Sequence, residues 1–220
     1  MSTAVATSGR NIVWIATVLI VLTTCIVVFL LPIDVQHDAL QEGGLVETMS
    51  AIGYLICIAL MFIFWGPAQA LSHWYFSVIL LLFAGRELDL DKTSFTEGLL
   101  KSRQYIGDTV PAGERAISAV LLLIIVAVVI TLIVRETKPF LRGLRSGYAP
   151  AYAFLTSFII LCVVKTLDGL DRKLEPFGII ISKTLNQMAT SAEELGEFGI
   201  PVMFTIAIVL AARNGGNAKP

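Results

Sequence analysis

Six long apolar segments decide which folds this chain of 220 residues can adopt. Residues 12–31 contain no charged residue and end at Pro32. About 20 helical residues, each rising 1.5 Å, are needed to cross a hydrocarbon core of ~30 Å, so this segment predicts a membrane span. It is also longer than the roughly 7 to 15 residue apolar core of a secretory signal peptide, which favours a retained first span. The further predicted spans are residues 45–65, 71–90, 116–134, 149–168 and 192–212.

The composition favours the same class of protein. Hydrophobic residues make up 56% of the chain and charged residues only 15%, whereas soluble domains average about 45–50% and about 25%. The sequence therefore predicts an all-α, polytopic membrane helical bundle of about six transmembrane helices in a single integral membrane domain. Its expected partners are membrane lipids and, as an alternative, another protein in the membrane. The net charge of -1 argues against a nucleic-acid partner, which requires a basic face.

Cysteine and histidine usage limits the cofactors. Cys25, Cys57 and Cys162 all lie in apolar segments, where cysteine is usually a small packing residue. His37 and His73 are the two histidines of the chain, so a histidine-ligated zinc or haem site is not expected. No cofactor is identified by a motif. A divalent cation such as Mg²⁺ or Ca²⁺, held by carboxylates, is the cofactor compatible with this composition.

The charges between the spans predict an orientation. Residues 135–147 carry four basic residues and one acid, whereas residues 33–44 carry three acids and no base. Lysine and arginine in short loops collect on the cytoplasmic side. The first loop is therefore expected inside and the second outside, which places both termini of a six-span chain in the cytoplasm. The expected location is the inner (plasma) membrane.

With this orientation, ionisable residues from four helix ends meet at the outer face. The central motif is the charged run at residues 86–92, which closes the third apolar segment. Charges at the membrane edge are costly and are commonly paired, turned inward or functional. Carboxylates can act as general bases or metal ligands, and the predicted catalytic residues are Glu47, Asp89, Asp168 and Glu197. Basic and phenolic groups can hold a phosphate, and the predicted substrate-binding residues are Arg86, Lys92, Arg103, Tyr105, Lys165 and Arg172.

Glu197 is the strongest acidic candidate because of Pro201, four residues later. Proline lacks an amide hydrogen, so the Glu197 carbonyl loses its helical donor and requires another partner in the membrane.

Simpler explanations exist for several of the charged residues at the outer face. Acids near the start of the sixth span can cap a helix, and the run at residues 86–92 can simply end a span at the lipid headgroups.

Two external connections contain amphipathic patterns. Residues 94–106 and residues 177–188 alternate apolar and polar positions at helical spacing. We expect both to form outer interfacial helices lying in the plane of the membrane surface, or to cover the bundle.

Three motifs resemble those of a known group of proteins. They are Glu42-x-Gly-x-x-Glu47, the run from Arg86 to Lys92, and the Glu193-Glu194 pair. The pattern is similar to that of a family of functionally uncharacterised bacterial multi-pass inner-membrane proteins. The resemblance implies a membrane fold and carries no activity.

Three hypotheses for the function follow from these residues. The first is an enzyme, a hydrolase or transferase, acting at the outer interface on a lipid or lipid-linked phosphate. The second is a non-catalytic subunit or assembly factor of a membrane complex, in which the charges form a structural ion-pair network. The third is an ion- or proton-coupled transporter, ranked last because the middle of each span is apolar.

Overall fold

The computed structural model describes residues 3–40 and 44–215, so Glu42 lies outside the described residues. Every regular element in these two ranges is helical. In chain order the helices are α1 (Thr3–Leu30), α2 (Ile33–Ala39), α3 (Leu45–Trp65), α4 (Pro67–Ser72), α5 (Trp74–Glu87), α6 (Leu90–Ser94), α7 (Arg103–Ile106), α8 (Ala112–Arg145), α9 (Ala149–Leu167), α10 (Leu170–Leu174) and α11 (Lys183–Gly215), with a 3-10 turn at Glu175–Phe177 after α10.

Five helices in the described ranges are long and apolar enough to cross a membrane by length and composition. The candidate spans are Ser8–Leu30, Leu45–Trp65, Ala112–Arg145, Ala149–Leu167 and Lys183–Asn214. The predicted class, a helical multi-pass membrane protein, is therefore confirmed. The predicted count of six spans is not, because residues 71–90 are not among the five.

Residues 71–90 form parts of three helices instead of one span. A turn at His73 separates α4 from α5, and α5 is only 14 residues long. Asp89 follows α5 with φ of 49°, in the left-handed region that aspartate adopts more readily than most residues. The apolar pattern continues across both breaks, which explains why the sequence alone predicts one continuous helix here.

The segment before α8 is a compact loop rather than a long interfacial helix. It contains the four-residue α7, and Glu114 at the start of α8 holds it in place. The Glu114 carboxylate accepts hydrogen bonds from the Thr96 amide at 2.7 Å and from Gln104 Nε2 at 2.8 Å. The second predicted outer helix is also not separate, because residues 183–188 are the first turns of α11. Two outer interfacial helices are thus unconfirmed.

Helix α11 lies at the centre of the bundle and packs against α1, α3 and α9. Gly53 of α3 faces Pro201 so closely that a Cβ on Gly53 would lie 2.9 Å from the proline Cβ. Cys57, one turn further along α3, contacts the Pro201 carbonyl at 3.4 Å and Thr205 Oγ1 at 3.3 Å. Gly196 similarly allows α9 to approach α11. These small residues let the helix axes come close, as is common where membrane helices pack.

The contact between α9 and α11 can be tested at Gly196. A Cβ there would lie 2.3 Å from Val164 Cγ1, so Gly196→Ala should overpack the interface and cost about 1–3 kcal/mol of stability. Val164→Ala in the same chain should restore much of that loss, because the two positions are in contact. Thermal unfolding in detergent measures both effects.

Gly113→Ala is the matched control, since Gly113 is a helical glycine of α8 and a Cβ added there would meet no heavy atom within 4 Å. It should be neutral or stabilising by up to ~1 kcal/mol. Equal effects at Gly196 and Gly113, or no rescue by Val164→Ala, would contradict the close packing of α9 and α11.

Candidate functional site

The Glu197 carboxylate joins three helices at one end of the bundle. Its Oε1 atom lies 2.7 Å from Arg86 Nη2 of α5 and 3.2 Å from Lys165 Nζ of α9. Glu197 is 4% exposed, whereas the Arg86 and Lys165 side chains are 43% and 36% exposed. One buried acceptor therefore holds two half-exposed cations from neighbouring helices.

Asp168 extends this network beyond the end of α9. Its carboxylate lies 3.2 Å from Lys165 Nζ and 3.9 Å from Arg172 Nη2. Burial alone would raise the pKa of Asp168, but the hydrogen bond and charge of Lys165, helped by Lys173 and Arg86, lower that pKa below its usual range. The structure thus brings together five of the predicted site residues in one network, which we call the charged end: Arg86, Lys165, Asp168, Arg172 and Glu197.

Three more glutamates surround the charged end, although they are not among the predicted site residues. Glu87 and Glu194 are buried, at 6% and 5% exposure, and Glu193 is half-buried. Glu87 accepts a hydrogen bond from Arg86 Nη1 at 3.3 Å. A signal for Glu87 exists in the sequence, because it follows the buried Leu80 and Ala84 at helical spacing of four and three. Glu193 and Glu194 could also be predicted from the sequence, because they precede Glu197 by four and three residues and therefore lie near it on the surface of α11.

A groove of about 2330 Å³ leads from the charged end along the bundle. Its lining includes Arg86, Glu87, Asp168 and Glu197, but not Lys165, which holds Glu197 from outside the groove. The walls beyond the charged end are apolar and come from α5, α8, α9 and α11. They include Leu80, Phe83, Ile125, Val129, Phe154, Leu161 and Phe204.

Aromatic rings form one wall of this groove. Phe204 of α11 lies 6.4 Å from Phe83 of α5 and 5.9 Å from Phe154 of α9, measured between ring centroids. Phe154 in turn lies 5.4 Å from Phe140 of α8. Along α8 the lining runs from Leu121 to Phe140, about 28 Å at 1.5 Å per residue.

The opposite end of the groove is also polar. Glu136 of α8 lines it and accepts a hydrogen bond from the hydroxyl of Tyr75, which is buried at the start of α5. The Arg135 guanidinium lies over the Tyr75 ring, 5.8 Å from its centroid. His73 lines the same region. We call this part the Glu136 end.

The remaining predicted site residues lie around the rim or away from the groove. Asp89 and Lys92 pair with each other at 2.9 Å and line the groove, as does Glu47. Arg103 and Tyr105 do not line it. The Tyr105 hydroxyl donates a hydrogen bond to the Leu99 carbonyl and thereby stabilises the loop before α8.

Metal ligation has little support in the arrangement of the acids. Among the described residues, no group of three or more histidine, cysteine, aspartate or glutamate side chains is placed to hold a metal ion.

Comparison with known proteins gives no independent indication of the function. No protein-family model matches the chain, and no curated protein or solved structure matches it. The function is therefore inferred from the site itself.

The central ion pair can be tested by a double-mutant cycle. Arg86→Gln and Glu197→Gln each leave a charged partner at a partly buried site and should cost about 1–3 kcal/mol. For a chain of this size, each kcal/mol corresponds to a fall of about 2–4 °C in unfolding temperature. The double substitution should cost less than the sum of the two, because the groups are in contact.

Glu175→Gln is the matched control for this cycle, since Glu175 is exposed and does not line the groove. Strictly additive losses, no larger than that of Glu175→Gln, would mean that Arg86 and Glu197 act as independent solvated residues.

The lowered pKa of Asp168 predicts a pH dependence of stability. A carboxyl whose pKa is lower when folded stabilises the fold above its unfolded pKa, near 3.9, and loses this effect as the pH falls through the folded pKa. The contribution of Asp168 to the unfolding temperature in detergent, measured as the difference between the wild type and Asp168→Asn, should therefore shrink as the pH falls from about 5 towards 3.

Asp108→Asn provides the comparison, because Asp108 is exposed and forms no ion pair with the described residues. Identical pH profiles for the wild type and Asp168→Asn would show that the contacts of Asp168 with Lys165 and Arg172 do not contribute to stability.

Proposed function

We propose that the protein is an enzyme that acts on a lipid or lipid-linked phosphate at the outer face of the inner (plasma) membrane. A single observation carries the proposal: one groove joins the charged end to a long apolar wall. Such a surface suits a molecule with a charged head group and a hydrocarbon chain. A soluble metabolite would have no use for the apolar wall.

The size of the groove supports this class of ligand. Pockets for small molecules typically measure about 300–1,000 Å³, and this groove is larger, at about 2330 Å³. Its length along α8, about 28 Å, approaches the ~30 Å thickness of the hydrocarbon core. An extended chain can therefore lie beside Phe83, Phe154 and Phe204 while its head group reaches Arg86.

The chemistry available at the charged end suits a phosphate. A guanidinium has five N–H donors and binds phosphate oxygens in a forked geometry. Arg86 lines the groove and is 43% exposed, so donors remain available to a ligand. Arg172 and Lys92 also line the groove. Glu87 or Glu193, which line the groove beside Arg86, would accept a proton from an attacking hydroxyl or water.

A transporter is the second candidate, favoured by the Glu136 end. Ionisable groups occur at both ends of the same groove, as a pathway across the membrane requires. The apolar wall between them argues against a path for ions and leaves a lipid as the suitable cargo. A non-catalytic subunit, the remaining alternative, would explain the ion pairs at Glu197 but does not require a groove.

Conversion of lipids is the direct test. Purified protein in detergent would be incubated with a radiolabelled bacterial lipid extract, with and without divalent metals, and the products separated by chromatography. We expect a new lipid or released head-group product, and at least about a tenfold loss of rate in Arg86→Gln, because one charged donor to a phosphate contributes several kcal/mol to such reactions.

Glu175→Gln should retain the wild-type rate, because Glu175 does not line the groove. A protein that neither binds nor converts any lipid in the extract would overturn the proposal. Lipid binding without conversion, combined with movement of a labelled lipid between leaflets in proteoliposomes, would favour the transporter.

The assignment of the charged end to the outer face has its own test. Asp108 lies in the loop before α8 and Arg142 near the end of α8, and both are exposed. In a variant without the native cysteines, a membrane-impermeant thiol reagent should label Asp108→Cys but not Arg142→Cys in intact cells. The reverse labelling would place the charged end in the cytoplasm.

A further inference from the structure

Glu194 is a buried carboxylate that lines the groove without a partner. It is 5% exposed and lies on the groove surface of α11. Within the described ranges, its side chain forms no hydrogen bond or ion pair. Burying an ionised carboxylate is costly unless a cation or donor compensates it. The hydrogen bonds and ion pairs of the described residues supply none, so Glu194 either takes up a proton or is available to accept a cationic group from a ligand.

The balance of charge around the charged end indicates the sign of that group. Among the described residues that line this part of the groove, nine are acidic and four are basic. Four of the acids are already paired with cations: Glu87, Asp89, Asp168 and Glu197. A ligand with only a phosphate would bring further negative charge to this surface. A ligand with both a phosphate and a cation would match it.

We propose that the charged end recognises a phospholipid whose head group carries a primary amine, with Glu194 accepting the ammonium and Arg86 the phosphate. This deepens the proposed function, on which it rests for the presence of a lipid in the groove. It does not require that the lipid be converted.

The positions on α11 fit a head group of this kind. Glu194 and Glu197 lie three residues apart, so their Cβ atoms are separated by about 5–6 Å on one side of the helix. Arg86 donates to Glu197 from α5 at 2.7 Å. The site for an ammonium and the site for a phosphate are therefore neighbours, as they are in a head group where a two-carbon linker joins the two charges.

Binding selectivity between two lipids tests the proposal. Purified protein would be equilibrated in mixed micelles with equal mole fractions of dioleoyl phosphatidylethanolamine and dioleoyl phosphatidylglycerol, which share their acyl chains. Native mass spectrometry gives the ratio of the two bound lipids. We expect the ethanolamine lipid to bind at least about tenfold more tightly, equivalent to about 1.4 kcal/mol. Glu194→Gln should reduce the ratio to about one.

Glu175→Gln is the matched control and should keep the wild-type ratio, because the same chemical change is made outside the groove. Thermal unfolding without added lipid checks the variant. Glu194→Gln removes an uncompensated buried charge and should unfold at or above the wild-type temperature.

A second comparison changes the lipid rather than the protein, so it holds even if the variant does not fold. N-acetylated dioleoyl phosphatidylethanolamine keeps the phosphate and both chains but lacks the ammonium. It should bind the wild-type protein at least about tenfold more weakly than the parent lipid. Glycerophosphoethanolamine, which has the head group and no chains, should not displace the parent lipid at equal concentration.

Each outcome decides the proposal. Equal binding of the ethanolamine and glycerol lipids, preference for the glycerol lipid, or unchanged selectivity in Glu194→Gln would overturn it, while lipid binding itself would leave the proposed enzyme intact. Displacement by glycerophosphoethanolamine at equal concentration would identify a soluble phosphoamine as the ligand and would overturn the proposal that the ligand is a phospholipid. An extract that shows no conversion, with selectivity present, would refute the enzyme alone.

Discussion

The arrangement of the site depends on one desolvated carboxylate. Glu197 lies on the central helix α11 and accepts from Arg86 of α5 and Lys165 of α9. A buried anion needs compensating donors, and here they come from two helices that line the groove. The same contact therefore satisfies the charge and fixes the spacing of the two walls near their charged ends. Without it, each helix would present an isolated charge at the edge of the apolar region.

A second set of contacts fixes α11 further along the bundle. Pro201 packs against Gly53, and the carbonyl of Pro201 lies near the Cys57 thiol. Gly199 faces Ile20 of α1, where a Cβ would lie 3.0 Å from the isoleucine side chain. Close packing on these sides of α11 contrasts with the open groove between α5, α8 and α9. The groove thus lies on one side of α11, while the other sides of this helix are closely packed. This packing fixes the position of the polar groups that α11 contributes to the groove.

The sequence was sufficient for the class of fold and for most of the charged end. Apolar segments of about 20 residues have few alternatives to membrane helices. Arg86, Lys165 and Asp168 lie at the C-terminal ends of α5 and α9, where they meet Glu197, which lies inside the longer helix α11. It was insufficient at residues 71–90, where the breaks at His73 and Asp89 are set by backbone conformation and leave the hydropathy pattern intact. Residue type groups Arg103 and Tyr105 with the site, but hydrogen bonds donated to the Glu114 carboxylate and to the Leu99 carbonyl fold their loop onto the start of α8.

The groove follows α8 over most of a membrane thickness, from Leu121 to Phe140. A cavity that ended in the middle of the membrane would accept only acyl chains up to a certain length, and would therefore select chains by their number of carbons. This one has no such stop before Glu136 in the part of the chain that the structure describes, so chains of different length and saturation can lie against the same aromatic wall. In the proposed lipid site, discrimination between ligands then rests with the polar groups near Glu197. For the lipid ligand that we propose, a host that changes its fatty acids with temperature could do so without altering which head groups bind.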